Sequence, residues 1–90
     1  VFVSAAIAKR DKRILEGPDF FTRGFIFTEQ SRDVVDGAKA KVRDMLRKYR
    51  EGKFPHQDDL VRALKQELAE YLRSKTRRRP TIIVSLLEVR

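Results

Sequence analysis

Residues 73–79 read Arg73-Ser74-Lys75-Thr76-Arg77-Arg78-Arg79, five cations in seven positions. Such a run can neutralise several phosphates of a polyanion, with affinity that depends on salt and not on base sequence. Two plainer roles compete with that one. Cations near the end of a helix complement its negative dipole, and they can also pair with acidic groups of a neighbouring domain. The candidate RNA or phosphate contacts are therefore Arg73, Lys75, Arg77, Arg78 and Arg79. A second segment, Arg23-Gly24-Phe25-Ile26-Phe27, partly matches the aromatic strand that stacks bases in RNA-recognition motifs. Ile26 and Thr28 stand where that signature needs a small and an aliphatic residue, and the segment precedes both helices instead of following one. Phe25 and Phe27 thus read as core or interface residues. No Gly-x-x-Gly loop joins the helices, which excludes a KH module.

Catalytic chemistry finds no constellation. His56 is the single histidine and sits beside Pro55, where it reads as a loop or helix-start residue. A zinc site needs three or four ligands, and no His/Asp/Glu group has ligand spacing. Ser4, Ser31, Ser74 and Ser85 have no base near them in sequence. Asp58 and Asp59 are explained by the start of a helix, and the four glycines are too scattered for a phosphate loop. The expectation is a chain without catalytic residues, metal ligands or a cofactor of its own.

Composition sets the outer bounds. Ninety residues make one small domain, and 21 Lys/Arg against 13 Asp/Glu leave a formal charge of +8, which favours contact with RNA or DNA or else a merely basic surface. The chain has no cysteine, which rules out disulfides and thiol catalysis and is compatible with a reducing compartment; a cytoplasmic location is expected. No apolar run approaches the ~20 residues of a membrane helix. The first residue is not Met and Val1 to Ala8 reads as mid-strand, so the chain is expected to be a segment of a longer protein.

The elements that would position these residues follow from periodicity. Val1 to Lys9 reads as a strand, Lys9 to Arg13 as a turn, and Ile14 to Glu16 as a short returning strand before Gly17-Pro18; Arg23 to Thr28 is a further strand candidate. A helix is expected from about Ser31, as N-cap, to Arg50, with Gly52 past its end. Its apolar stripe is Val34, Val35, Ala38, Val42, Met45, Leu46 and Tyr49. Gly37 within it costs about 1 kcal/mol relative to Ala and suggests a close approach. A second helix is expected over residues 57–75, with Leu60, Val61, Leu64, Leu68, Tyr71 and Leu72 inward and an Asp58–Arg62 pair on its surface. The two form an antiparallel hairpin. Pro80 ends the second helix, and Thr81 to Val89 is a strand apolar on both sides. Two helices can cover only one face of a small sheet. Ile83, Leu87 and Val89, or their alternating partners, are left uncovered, which marks a candidate interface.

Three segments together resemble the C-terminal domain of ribonuclease J: Gly17-Pro18 through Thr22-Arg23-Gly24-Phe25, the two amphipathic helices, and Lys75-Thr76-Arg77-Arg78-Arg79-Pro80 leading to Leu87-Glu88-Val89. The resemblance covers nearly the whole chain. It implies that residues 1–90 are one domain of a larger RNA-degrading enzyme with a metallo-β-lactamase fold and an inserted β-CASP domain. Such enzymes use two zinc ions for 5′-to-3′ exonuclease and endonuclease cleavage, with ligand motifs upstream of this domain. It also implies an α+β domain in which a sheet of about three strands, in the order β-β-α-α-β, packs on two helices. The family domain is associated with dimer or tetramer assembly and full activity. The expected partners are a second copy, the parent catalytic domains, and RNA as the parent's substrate. In that picture Ile82, Val84 and Leu86 face the helices while Phe25, Phe27, Ile83 and Leu87 face outward, and a slip of one residue would exchange the sets.

Overall fold

A computed structural model describes residues 1–21, 29–77 and 81–90. The elements run β1 (Phe2–Ala8), β2 (Ile14–Phe21), α1 (Glu29–Arg50), α2 (Gln57–Thr76) and β3 (Ile83–Val89). The strands form a mixed sheet of order β2-β1-β3, in which β1 is antiparallel to β2 and parallel to β3. This is the expected α+β architecture in the expected order.

Strand β1 is central, and its residues alternate between the two faces. Val3, Ala5 and Ile7 are buried under the helices with Ala38, Val42, Met45, Leu46 and Tyr49 of α1 and Leu60, Leu64 and Leu68 of α2. Burying one such Leu, Ile or Val side chain contributes about 1.5–3 kcal/mol, so this single core carries the fold. The helices run antiparallel: Tyr71, late in α2, donates a hydrogen bond of 3.2 Å to the Val34 carbonyl early in α1. The Tyr71 hydroxyl also lies where a Cβ at Gly37 would be. Gly37 therefore admits the tyrosine ring, which accounts for a glycine inside a helix.

Several boundaries differ from the sequence expectation. The returning strand does not stop at Glu16 but continues through Gly17-Pro18 to Phe21. Two local features allow this. β2 lies at the sheet edge, where a residue without an amide donor is tolerated. The β1–β2 register also shifts between Ser4 and Ala6, and opposite this irregularity Gly17 takes φ +83°, where a Cβ would come within 2.9 Å of the Ser4 carbonyl oxygen. Helix α1 begins at Glu29, so Ser31 lies inside it and is not its cap. The strand candidate over residues 23–28 lies outside the described residues.

The helix ends follow known stop chemistry. After α1, the Gly52 amide donates to the Tyr49 carbonyl and the Lys53 amide to that of Lys48, with Gly52 at φ +83°. This is the Schellman arrangement, and it sets the connector to α2. Asp58 and Asp59 occupy the first turn of α2, as its dipole favours. The Asp58–Arg62 pair that the spacing permits does not form; an exposed pair worth a few tenths of a kcal/mol does not hold two side chains. Among the described residues, the ion pairs within the helices lie near the end of α1, where Arg47 meets Asp44 and Glu51, and Lys48 meets Asp44.

Candidate functional site

The sheet has one covered face and one open face. Along β3, Ile82 (just before the strand), Val84 and Leu86 pack against the core, whereas Ile83 and Leu87 are 54% and 62% exposed. The phase is therefore the one in which Ile83 and Leu87 point away from the helices. The register places Phe2 opposite Phe21 on one side and Ile83 on the other, Ser4 opposite Asp19 and Ser85, Ala6 opposite Glu16 and Leu87, and Ala8 opposite Val89. Phe2 and Phe21 are in ring contact, with centroids 6.0 Å apart. The open face thus carries an aromatic–aliphatic end (Phe2, Phe21, Ile83), a polar middle row (Asp19, Ser4, Ser85) and an aliphatic end (Leu87, Val89). Phe2 and Phe21 belong to it although the sequence reading did not single them out. Their signal was the apolar residue at each strand end on the parity opposite to Val3 and Phe20. Phe25 and Phe27 lie outside the described residues.

Strand β3 is held in place by polar contacts at both its edge and its end. Gln57, the first residue of α2, donates from its side-chain amide to the Leu86 carbonyl at 2.9 Å. Glu88 falls on the helix-facing parity, between Leu87 and Val89. Its carboxylate accepts a 2.7 Å hydrogen bond from the Tyr49 hydroxyl and a 3.4 Å one from Lys12 Nζ, and the Lys12 ammonium sits 5.0 Å from the Tyr49 ring centroid. The Tyr49 hydrogen bond, aided by Lys12 and Lys9 and opposed by desolvation, holds the Glu88 pKa below its ordinary value. Burial, reinforced by Glu88, pushes the Tyr49 hydroxyl up, so it stays a donor at neutral pH. For Lys12 desolvation acts downward, but Tyr49 and Glu88 outweigh it and raise its pKa. One charged residue on the core parity of an apolar strand was the sequence signal for this trio.

The basic run at the end of α2 separates in space. Arg73 and Lys75 are two residues apart, which is 200° around a helix, so they leave from nearly opposite sides. Lys75 lies 6.0 Å from the Tyr71 ring centroid, and Lys41 approaches the same ring at 5.3 Å. Arg77 follows the helix in the left-handed conformation (φ 59°), its amide donating to the Arg73 carbonyl at 2.8 Å. Arg73, Lys75 and Arg77 are exposed, and none forms an ion pair among the described residues. Arg78 and Arg79 lie outside the described residues.

A different set of cations does converge. Lys12, Arg13, Arg47 and Arg50 line a cleft of about 180 Å³ whose floor is Ile14 and Leu46. The cleft lies where the β1–β2 turn meets the last turn of α1. Its members are some 35 positions apart along the chain, so no local pattern announced them.

The described residues do not fit a zinc site. Among the described residues no three His, Cys, Asp or Glu side chains group closely enough to hold a metal ion. His56 is exposed at the N-cap of α2 and makes no capping hydrogen bond through its side chain. Among the described residues no helix is long and apolar enough to cross a membrane.

Comparison with known proteins places the chain in a family. The family model of the ribonuclease J C-terminal domain matches residues 1–89. Ribonuclease J2 of Bacillus subtilis (strain 168) is 29% identical over 89 residues, which is 99% of this chain but 16% of that protein. Ribonuclease J 2 of Staphylococcus aureus (strain NCTC 8325 / PS 47) is 28% identical over 80 residues, covering 89% of this chain and 14% of the relative. The chain thus spans about one-sixth or less of the length of these relatives.

Proposed function

Because this chain belongs to the ribonuclease J C-terminal domain family, we propose that it is the accessory domain of a ribonuclease J and acts through assembly, with the open sheet face meeting a second copy. The parent would be a cytoplasmic, zinc-dependent 5′-to-3′ exo- and endoribonuclease of RNA processing and decay. Its zinc would be held by residues outside this chain, since the described residues offer no ligand set. The observation that carries the assembly reading is the open sheet face. Phe2, Phe21, Ile83, Leu87 and Val89 are 38–62% exposed on one side of a three-stranded sheet.

The size of that face sets the strength of the association. Strands of seven residues at about 3.3 Å each, three abreast at about 4.8 Å, present roughly 330 Å². A stable interface takes about 800 Å² per partner. The open face alone therefore supports weak, reversible pairing, which contacts from the catalytic body would strengthen. Sedimentation equilibrium of the chain should show a concentration-dependent dimer. Leu87→Lys should abolish it with no change in folding, because Leu87 is 62% exposed. A strict monomer at millimolar concentration would refute self-association and move the face to docking on the parent's own catalytic domains.

A second reading keeps RNA on the basic end of α2. It rests on Arg73, Lys75 and Arg77 being exposed without an ion pair among the described residues. Their divergence around the helix weakens it. Substituting Arg73 and Arg77 together with alanine should leave RNA affinity unchanged under the assembly reading and reduce it under this one.

A further inference from the structure

Four cations line one cleft. Lys12 is engaged by Glu88 at 3.4 Å, and Arg47 by Asp44 and, at 3.5 Å, by Glu51. Arg13 and Arg50 are exposed and have no ion pair among the described residues. Arg13, just before β2, and Arg50, at the end of α1, are therefore the two cations of the cleft lining without an ion pair among the described residues, beside the apolar Ile14 and Leu46. A guanidinium presents a planar fork of donors matched to the paired oxygens of a phosphate.

The volume narrows the ligand. About 180 Å³ is below the roughly 300–1,000 Å³ of sites that enclose a free small molecule. Such a cleft suits one segment of a longer chain that passes over it. Ile14 and Leu46 offer that segment an apolar surface between the two charges, a feature a purely ionic ligand would not use.

We propose that the cleft is a phosphodiester-binding site in which Arg13 and Arg50 hold the backbone of single-stranded RNA over Ile14 and Leu46. The choice of RNA among polyanions rests on the ribonuclease reading above; the site itself does not. It is distinct from the α2 end, because Arg73, Lys75 and Arg77 are not among the residues that line it.

The test is fluorescence anisotropy of a labelled oligouridylate with the 90-residue chain, comparing Arg13→Ala/Arg50→Ala with the unaltered protein and with Arg73→Ala/Arg77→Ala. Each phosphate contact on a single strand contributes about 0.7 to the slope of log affinity against log salt. Losing two contacts lowers the slope by about 1.4, so between about 50 and 200 mM salt the unaltered chain should lose about sevenfold more affinity than the cleft variant. The α2 variant should retain the full slope. Thermal unfolding of both variants should match the unaltered chain, since the substituted arginines are exposed. An unchanged slope and affinity in the cleft variant would overturn the site, as would absence of binding by the unaltered chain. A polyglutamate peptide or inorganic phosphate that competes as well as RNA at equal charge would overturn RNA as the occupant, while family membership and assembly through Leu87 would stand.

Discussion

Replacing Tyr49 with Phe removes the hydroxyl that ties the end of β3 to the helices. Tyr49 is 6% exposed, and the Glu88 side chain it contacts at 2.7 Å is 18% exposed. A hydrogen bond to a charged group contributes about 1.5–3 kcal/mol, and loss of the donor leaves the carboxylate partly desolvated. Glu88 can regain some water and keeps Lys12, so the lower part of that range applies, about 1.5–2 kcal/mol. For a domain of this size each kcal/mol moves the midpoint by about 4–8 °C, which gives a fall of roughly 5–15 °C in circular-dichroism melting at pH 7.

The pH dependence makes the test specific to Glu88. Its folded-state pKa lies below the ordinary 4.5, with the Tyr49 hydrogen bond as the first cause. The carboxylate therefore contributes stability that is complete above that ordinary value and is lost as pH falls through the depressed one. The gap between the two proteins should be widest at neutral pH and shrink below pH 4.5. Equal midpoints at pH 7, or a gap that stays constant down to about pH 3, would refute the reasoning. Because Glu88 lies between Leu87 and Val89, the same variant should also weaken the proposed dimerisation.

Two further substitutions probe backbone positions. Arg77 holds φ 59° after α2, a conformation that costs a residue with a Cβ about 1–2 kcal/mol. Arg77→Gly relieves that strain but frees the unfolded chain, so a net gain of about 1 kcal/mol is expected in denaturant unfolding; destabilisation would mean that the arginine side chain is a structural anchor. Gly37→Ala gains about 1 kcal/mol of helix propensity but displaces the Tyr71 hydroxyl from Val34 and crowds the ring. A lost hydrogen bond near 1 kcal/mol and overpacking of about 1–3 kcal/mol outweigh the gain, so net destabilisation of about 1–3 kcal/mol should appear; a neutral variant would show that the ring moves aside freely.

Local periodicity carried the element order and the two helical stripes, because each buried position is repeated along its own helix. The phase of β3 was not readable, because the strand is apolar on both sides and only its packing on the helices separates Val84 and Leu86 from Ile83 and Leu87. Pairings between distant segments were not readable. The continuation of β2 through Gly17-Pro18 depends on its place at the sheet edge, which is set by β1 and β3. The Tyr49–Glu88–Lys12 contacts join the end of a helix, the last strand and a turn. The basic residues show the limit most directly. Cations adjacent in sequence near Arg73 diverge around α2, whereas Lys12, Arg13, Arg47 and Arg50 meet only after the turn packs on α1.

The proposed assembly face and the proposed RNA cleft have opposite responses to salt, which lets a single variable separate them. Each chain carries a formal charge of +8, so two copies that meet through an apolar face do so against their mutual repulsion. Added salt screens that repulsion, and dimerisation should tighten with ionic strength. RNA binding through Arg13 and Arg50 should weaken over the same range as counterions compete for the phosphates. The two surfaces use opposite sides of the sheet, since Ile14 and Leu46 belong to the helix side and Leu87 to the open one. Bound RNA therefore need not displace a partner, and by neutralising charge it should favour pairing at low salt. Dimerisation that weakens with salt would mean that ion pairs, and not the exposed apolar residues of β1, β2 and β3, hold the copies together.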